Sequence, residues 1–157
     1  MTVTIRRASV DDLGIIHDIR QDAILGIGSN GLGINDRQAW ADRRSPDFYA
    51  ERVAAGEVVL AVSREAIVGW GSSSGDCITG IYIRSSSGRL GVGRTIMSIL
   101  ETDIVNRGHE CARLESNPNA LGFYTKLGYT SGGFSKDDGA VPMQKALRMS
   151  DPQPRAV

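Results

Sequence analysis

Apolar positions change period several times along the chain, and each change predicts an element. Val3 and Ile5 alternate with polar neighbours across Thr2–Arg7, a strand pattern. Ser9 stands three residues before Asp12, an N-capping arrangement. It predicts a helix whose buried stripe is Leu13, Ile16, Ile19 and Ala23 and which ends in the glycine-rich stretch Gly26 to Gly33. Asp36 to Arg43, carrying Trp40, predicts a short second helix. Ser45-Pro46-Asp47 supplies a capping hydroxyl, a proline for the first turn and a carboxylate at the positive end of the dipole. A helix through Phe48 and Val53 to Gly56 is therefore predicted.

Glu57–Ser63 and Ala66–Ser73 read as two strands joined by a tight turn at Arg64-Glu65, and isoleucine-rich Cys77–Arg84 as a third. After the loop Ser85–Leu90, an amphipathic helix starts near Gly91 with Ile96, Ile99, Leu100 and Ile104 on one face; Gly108 closes it. Cys111–Glu115 is a further strand. Asn117-Pro118 starts another helix by the same cap-plus-proline logic, with Ala120, Phe123, Tyr124 and Leu127 on its stripe and Gly128 at its end. Tyr129–Gly132 and Val141–Arg148 are the last predicted strands. An antiparallel meander leading into a βαβ crossover predicts an α/β (α+β) domain over residues 1–149. Its central sheet is mixed and mostly antiparallel, of six to seven strands with helices on both faces. Residues 150–157 read as a disordered tail.

Composition narrows the class. A chain of 157 residues, 41% hydrophobic and 23% charged, is ordinary for one globular domain. Eighteen basic and eighteen acidic residues balance, so no large positive field is set up for nucleic acid. No apolar run approaches the roughly 18 residues of a membrane span, and the first residues lack an apolar segment of signal-peptide length. Cys77 and Cys111 match no CxxC or zinc-ligand spacing, so no metal is expected. Two buried, reduced thiols in a cytoplasmic protein are the expectation.

The segment that carries chemistry is Ile81-Tyr-Ile-Arg-Ser-Ser-Ser-Gly-Arg-Leu-Gly-Val-Gly-Arg-Thr95, an apolar strand, a glycine-rich loop and a helix start. Glycines let backbone N–H groups approach a ligand, and the helix start adds unpaired donors and the positive dipole end. Together they form an anion site suited to a diphosphate, with Arg89 and Arg94 as charged donors. Two other readings compete. Gly88 to Thr95 fits a nucleotide phosphate loop with arginine replacing the required lysine, but that loop normally follows the first strand of a parallel sheet. Gly26-Ile-Gly-Ser-Asn-Gly31 matches G-x-G-x-x-G but trails a helix, so the dinucleotide context is missing.

Gly88 to Gly93, set between the strand at Ile81–Ile83 and its helix, resembles motif A of the GNAT superfamily, the Gcn5-related N-acetyltransferases, usually Q/R-x-x-G-x-G/A. Here the first position is Gly88, with Arg89 one place later. Asn117-x-x-Ala120-x-x-Phe123-Tyr124-x-x-Leu127-Gly128-Tyr129 resembles motif B, N-x-x-A-x-x-F-Y-x-x-x-G-F. Asp36-x-Gln38-Ala39-Trp40 is similar to an element on the second helix of bacterial members. The resemblance spans residues 2 to about 149 and implies the acyl-CoA N-acyltransferase fold with a splayed parallel pair.

It further implies acetyl-CoA as co-substrate. The main chain of Ile81, Tyr82 and Ile83 would pair with the pantetheine arm, and one amide would polarise the thioester carbonyl. Arg89, Leu90, Gly91, Val92, Gly93, Arg94 and Thr95 would cradle the diphosphate, with Asn117 and Tyr124 completing the coenzyme contacts. An amine acceptor, small molecule or peptide, attacks directly and needs a base, for which Glu115 and Asp76 are the candidates. Tyr124 falls on the motif tyrosine that protonates the departing thiolate in many relatives. His17 and His109 read as surface or packing histidines, and Cys77 as a bystander. Trp40, Phe48 and Tyr49 stand as lining of an acceptor pocket or as core. Relatives are often homodimers. A non-catalytic acyl-CoA-binding module on the same fold is the competing reading, motivated by Gly88 and by the lack of an obvious base.

Overall fold

In the computed structural model, residues 2–26, 38–39, 41, 44–87, 91–132 and 139–147 are described. The alternating start forms β1 (Val3–Arg7), and a single 3-10 turn, Val10–Asp12, leads into α1 (Leu13–Leu25). Asp12 ties this junction together: its Oδ2 accepts from the Ser9 amide at 2.8 Å and the Ser9 hydroxyl at 3.2 Å. Ile16, Ile19 and Ile24 are the buried apolar residues of α1, while Ala23 is half-buried. The predicted Ala23 position is thus outcompeted by the larger Ile24 in the last turn. Gln38, Ala39 and Ala41 are helical, whereas Asp36, Trp40 and Arg43 lie outside the described residues, as do positions 27–33 of the glycine-rich stretch.

The proline start at Ser45 gives a 3-10 turn, Pro46–Tyr49, followed by the five-residue α2 (Ala50–Ala54), in place of one continuous helix. The i→i+3 tightening is visible as the Ala50 amide bonding Asp47 O. β2 (Val58–Ser63) and β3 (Ala66–Ser74) follow, and Arg64 and Glu65 both adopt positive φ, +50° and +67°. That is the turn whose twist matches a two-residue hairpin. After β4 (Cys77–Ile83) come the 3-10 turn Ser85–Ser87 and α3 (Val92–Asn106). β5 (Cys111–Ser116), a 3-10 turn Pro118–Ala120, α4 (Leu121–Lys126), β6 (Thr130–Ser131) and β7 (Val141–Ala146) complete the chain. Tyr129, predicted in a strand, instead closes the α4 terminus: its amide reaches Tyr124 O at 3.1 Å and that of Gly128 reaches Thr125 O, also at 3.1 Å. Arg148 and the predicted tail lie outside the described residues.

The sheet has seven strands in the order β1-β2-β3-β4-β5-β7-β6. β1–β2, β2–β3, β5–β7 and β7–β6 run antiparallel and β4–β5 parallel, the mixed architecture predicted from the element order. The parallel ladder registers Cys77 with Arg113 and, among the described residues, no further pair.

Two compact units are distinguished, Met1–Ser72 with Gly80–Ser98, and Ser73–Thr79 with Ile99–Val157. In the first, Ile16, Ile19, Tyr49, Val53, Val58, Leu60 and Trp70 form one core, with the Trp70 indole donating to Ile16 O at 2.9 Å. Val59 and Ala61, on the other face of β2, are equally buried. Sheet surface covered on both sides explains why β2 reads as a continuous apolar run. In the second unit Leu100, Ile104, Ala112, Leu114, Tyr124, Tyr129 and Met143 are buried. Cys77 and Cys111 are free thiols and half-buried, not the fully buried pair expected, because each sits at the first position of its strand. Among the described residues no helix is long and apolar enough to cross a membrane.

Candidate active site

In the first unit, β4 presents Ile81, Tyr82 and Ile83, all half-buried. The Tyr82 ring packs on Trp70 at 4.9 Å, and the Arg20 guanidinium carbon lies 5.8 Å from its centroid. Arg84 fastens the strand end: its amide donates to Val68 O at 2.9 Å and its Nε to Ile67 O at 3.1 Å. On the opposite face from Trp70, a Cβ on Gly69 would meet Ile83 Cδ1 at 2.9 Å and Val92 Cγ1 at 3.2 Å. The missing side chain is what lets the first residue of α3 seat against β3 and β4.

Gly88, Arg89 and Leu90 lie outside the described residues. Gly91 is exposed with φ +72°, and among the described residues nothing stands within 4 Å of where its Cβ would be. Thr95 returns both its amide and its hydroxyl to Gly91 O, each at 3.1 Å. That amide bond is the first i→i−4 bond of α3, so helix geometry leaves the N–H groups of Val92, Gly93 and Arg94 without an intrahelical partner. Val92 and Gly93 are buried, Thr95 is half-buried and Arg94 is exposed. The turn therefore combines open space over a positive-φ glycine with the donor end of a fifteen-residue helix.

In the second unit, Ala112, Leu114 and Ser116 of β5 are buried, whereas Arg113 and Glu115 are exposed on the other face. Asp76, in the turn before β4, takes a bidentate pair from Arg113, Nε to Oδ2 and Nη2 to Oδ1 at 2.9 Å each. The guanidinium holds the Asp76 carboxyl below its ordinary range, which makes it a poorer base. Asn117 caps the following turn, its Oδ1 accepting from the Asn119 amide at 2.9 Å. Tyr124, 9% exposed, lies edge-on to Phe123 at 5.1 Å and to Tyr129 at 5.9 Å. Burial, and then the hydrogen bond to Glu101, raise the Tyr129 hydroxyl well above the ordinary tyrosine range.

Three features escape a reading of sequence pattern. Arg20 occupies a position on the apolar stripe of α1, is 3% exposed, and donates from Nη1 to Ala41 O at 2.8 Å. A charge on a buried stripe is the signal that flags it. Asp22 accepts from Ser85, and Glu101 from Tyr129 and Lys145. Phe48 is 42% exposed, with the Arg44 guanidinium 4.2 Å from its ring, while Tyr49 is buried in the core, its hydroxyl pushed up to about 12 mainly by burial. Among the described residues no three His, Cys, Asp or Glu side chains gather within metal-binding reach.

The sequence model of the acetyltransferase (GNAT) domain matches residues 16–147. The chain belongs to the GNAT family. No curated protein matches this GNAT domain. Solved structures share its fold. A GCN5-related N-acetyltransferase from Rhodopseudomonas palustris superposes with a TM-score of 0.79 at 23% identity, over 94% of this chain and 97% of that one. The PaiA N-acetyltransferase of Thermoplasma acidophilum, solved in complex with coenzyme A, gives 0.79 at 16% identity, over 94% and 100%. YncA of Salmonella typhimurium, solved with its cofactor acetyl-CoA, gives 0.67 at 19% identity, over 95% and 96%.

Proposed function

We infer that this GNAT domain, over residues 1–149, transfers the acetyl group of acetyl-CoA to a primary amine of a small molecule or peptide. The observation that carries this reading is the turn at Gly91, where an exposed positive-φ glycine with no described neighbour at its Cβ position stands at the donor end of α3. Such a turn suits a diphosphate, because a Cβ is missing where the ligand approaches and because the donors need no local partner. The coenzyme-bound forms of the Thermoplasma and Salmonella proteins, which share the fold, favour the same ligand.

In this reading Val92, Gly93 and Arg94 hold the diphosphate through their amides, with Arg89 and Arg94 adding charge and Leu90 and Thr95 completing the turn. A main-chain amide of Ile81–Ile83 donates to the thioester carbonyl oxygen, where negative charge grows as the amine attacks. A fixed donor of that kind is worth roughly 10²–10³ in rate. Tyr124 gives its proton to the departing thiolate, and Glu115, which stands exposed on β5, takes the proton of the amine directly or through water. Asn117 orders the chain entering α4. The two free thiols, Cys77 and Cys111, suit a reducing cytoplasm.

Release of free thiol from acetyl-CoA in the presence of a panel of amines, with mass spectrometry of the acceptors, tests the reading. Acetylation of at least one amine is expected. Saturable acetyl-CoA binding with no turnover on any amine would instead identify a coenzyme-binding module.

A further inference from the structure

An acidic residue in the last turn of a helix opposes the negative end of the helix dipole, so Asp22 is misplaced on α1 unless it serves something outside that helix. It does. Asp22 Oδ2 accepts from the backbone amide of Ser85 at 2.7 Å, and Oδ1 from the Ser85 hydroxyl at 3.2 Å. Ser85 opens the 3-10 turn that carries β4 toward Gly91. A second observation falls on the same junction. A Cβ on Gly26, the residue that caps α1, would meet Ser85 Cβ at 3.0 Å. The φ of Gly26 is −82°, so glycine is not required there for conformation; an added Cβ would crowd Ser85 and, equally closely, the Asp22 carbonyl oxygen at 3.0 Å. The end of α1 is therefore fitted to the entrance of the turn by a charge-assisted pair of hydrogen bonds and by a missing side chain.

We propose that Asp22 is a positioning residue for coenzyme binding, its carboxylate holding Ser85 where the chain leaves β4 for the segment that precedes Gly91. The proposal rests on the reading of the turn at Gly91 as the diphosphate site. Its physical content is preorganisation: a strand exit anchored before the ligand arrives loses less entropy on binding. The effect accordingly falls on coenzyme affinity and leaves the rate at saturation alone, since Asp22 acts through Ser85 and touches no reacting atom.

The test uses the full chain and acetyl-CoA, with dissociation constants from calorimetry, apo melting temperatures, and kcat at saturating acetyl-CoA for an amine that the wild type accepts. Asp22→Ala is expected to weaken acetyl-CoA binding by roughly tenfold, the scale of a lost hydrogen bond to a charged group. Asp22→Asn, which keeps one acceptor oxygen for the Ser85 amide, restores part of that loss. Gly26→Ala, whose Cβ crowds Ser85 and the Asp22 carbonyl oxygen, is expected to weaken binding as well. In all three, kcat stays within about twofold of wild type, as positioning of the ligand-binding turn alone requires. Folded Asp22→Ala and Gly26→Ala proteins that bind acetyl-CoA as tightly as wild type would overturn the proposal. So would parallel losses of melting temperature, affinity and kcat, which mark a merely structural contact. A wild-type chain without saturable acetyl-CoA binding would instead remove the diphosphate reading, and this proposal with it.

Discussion

The Tyr129 hydroxyl, on a side chain 1% exposed, donates to Glu101 Oε2 at 2.8 Å, and Lys145 Nζ grips the same carboxylate at 3.1 and 3.2 Å. Three elements meet in that knot: α3 supplies the acid, the α4 terminus the phenol and β7 the amine. Tyr129→Phe leaves the ring packed but strips one donor from a half-buried carboxylate, so a loss of about 1–3 kcal/mol in unfolding free energy is expected from chemical denaturation. The variant also changes the alkaline limb. A tyrosine whose folded pKa lies above its unfolded value gives stability that is complete below about pH 10 and declines as pH rises past it. Wild type should lose stability with rising pH in that range, partly through Tyr49, which titrates in the fold near 12. Tyr129→Phe should show a shallower decline; an unchanged slope would remove Tyr129 from the alkaline response.

Asp12 governs the opposite limb. Arg6 meets it in a fork, Nη1 to Oδ2 and Nη2 to Oδ1 at 3.0 Å each, and the Ser9 amide adds a third donor. The Arg6 pair, more than any other contact, brings its pKa down to about 2. Because the folded value lies below the unfolded one, the stabilisation is present at neutral pH and disappears as pH falls from about 4 toward 2. Asp12→Asn should cost about 1 kcal/mol at pH 7, the usual scale for a helix N-terminal cap. The gap between wild type and variant in acid titrations followed by circular dichroism should close over that same window. A gap that persists at pH 2 would show that charge is not its source.

Punctuation by glycine, proline and capping residues made most of the fold legible, since those signals act within one turn. The start of α3 after Gly91 and the end of α4 at Gly128 follow from it, while the hairpin at Arg64-Glu65, which has no glycine or proline, is read from the break between two strand patterns. The same locality explains the errors. Proline starts at Ser45 and Asn117 promise a helix but not its pitch, and both open as 3-10 turns before continuing as short α-helices. For the candidate site, the strand, turn and helix start could be read in sequence. The contact from Asp22 to Ser85 spans 63 residues and that from Tyr129 to Glu101 spans 28, separations across which no periodic pattern speaks. Arg20 was hidden for a different reason: a stripe search counts apolar residues, and a buried arginine falls outside its alphabet.

Gly91 separates backbone strain from ligand contact. Its φ of +72° penalises any Cβ, while no described residue stands within 4 Å of that Cβ position. Gly91→Ala and Gly91→Glu should therefore lose similar apo stability, about 1–2 kcal/mol, from the left-handed conformation alone. Acetyl-CoA affinity should divide them. Alanine adds one methyl where the ligand approaches and weakens binding modestly, whereas glutamate adds bulk and a negative charge against a diphosphate and abolishes it. Calorimetry on both variants reads the difference. Glutamate at 91 with wild-type affinity would place the diphosphate elsewhere.

Tyr124→Phe isolates one proton. The ring of Tyr124 is held edge-on by Phe123 and Tyr129 at 5.1 and 5.9 Å, contacts that phenylalanine keeps. Acetyl-CoA affinity should stay near that of wild type, because the turn around Gly91 is untouched. Turnover should fall by roughly tenfold or more, within the range a positioned general acid contributes. A thiolate leaving without an acid depends on its own stability, with a thiol pKa of about 8.5, so the variant should recover activity with a thioester of a more acidic thiol. Rates of wild type and Tyr124→Phe on the two thioesters, compared at one pH, therefore identify the step. A deficit of the same size on both would assign the lost hydroxyl to some task other than protonating sulfur.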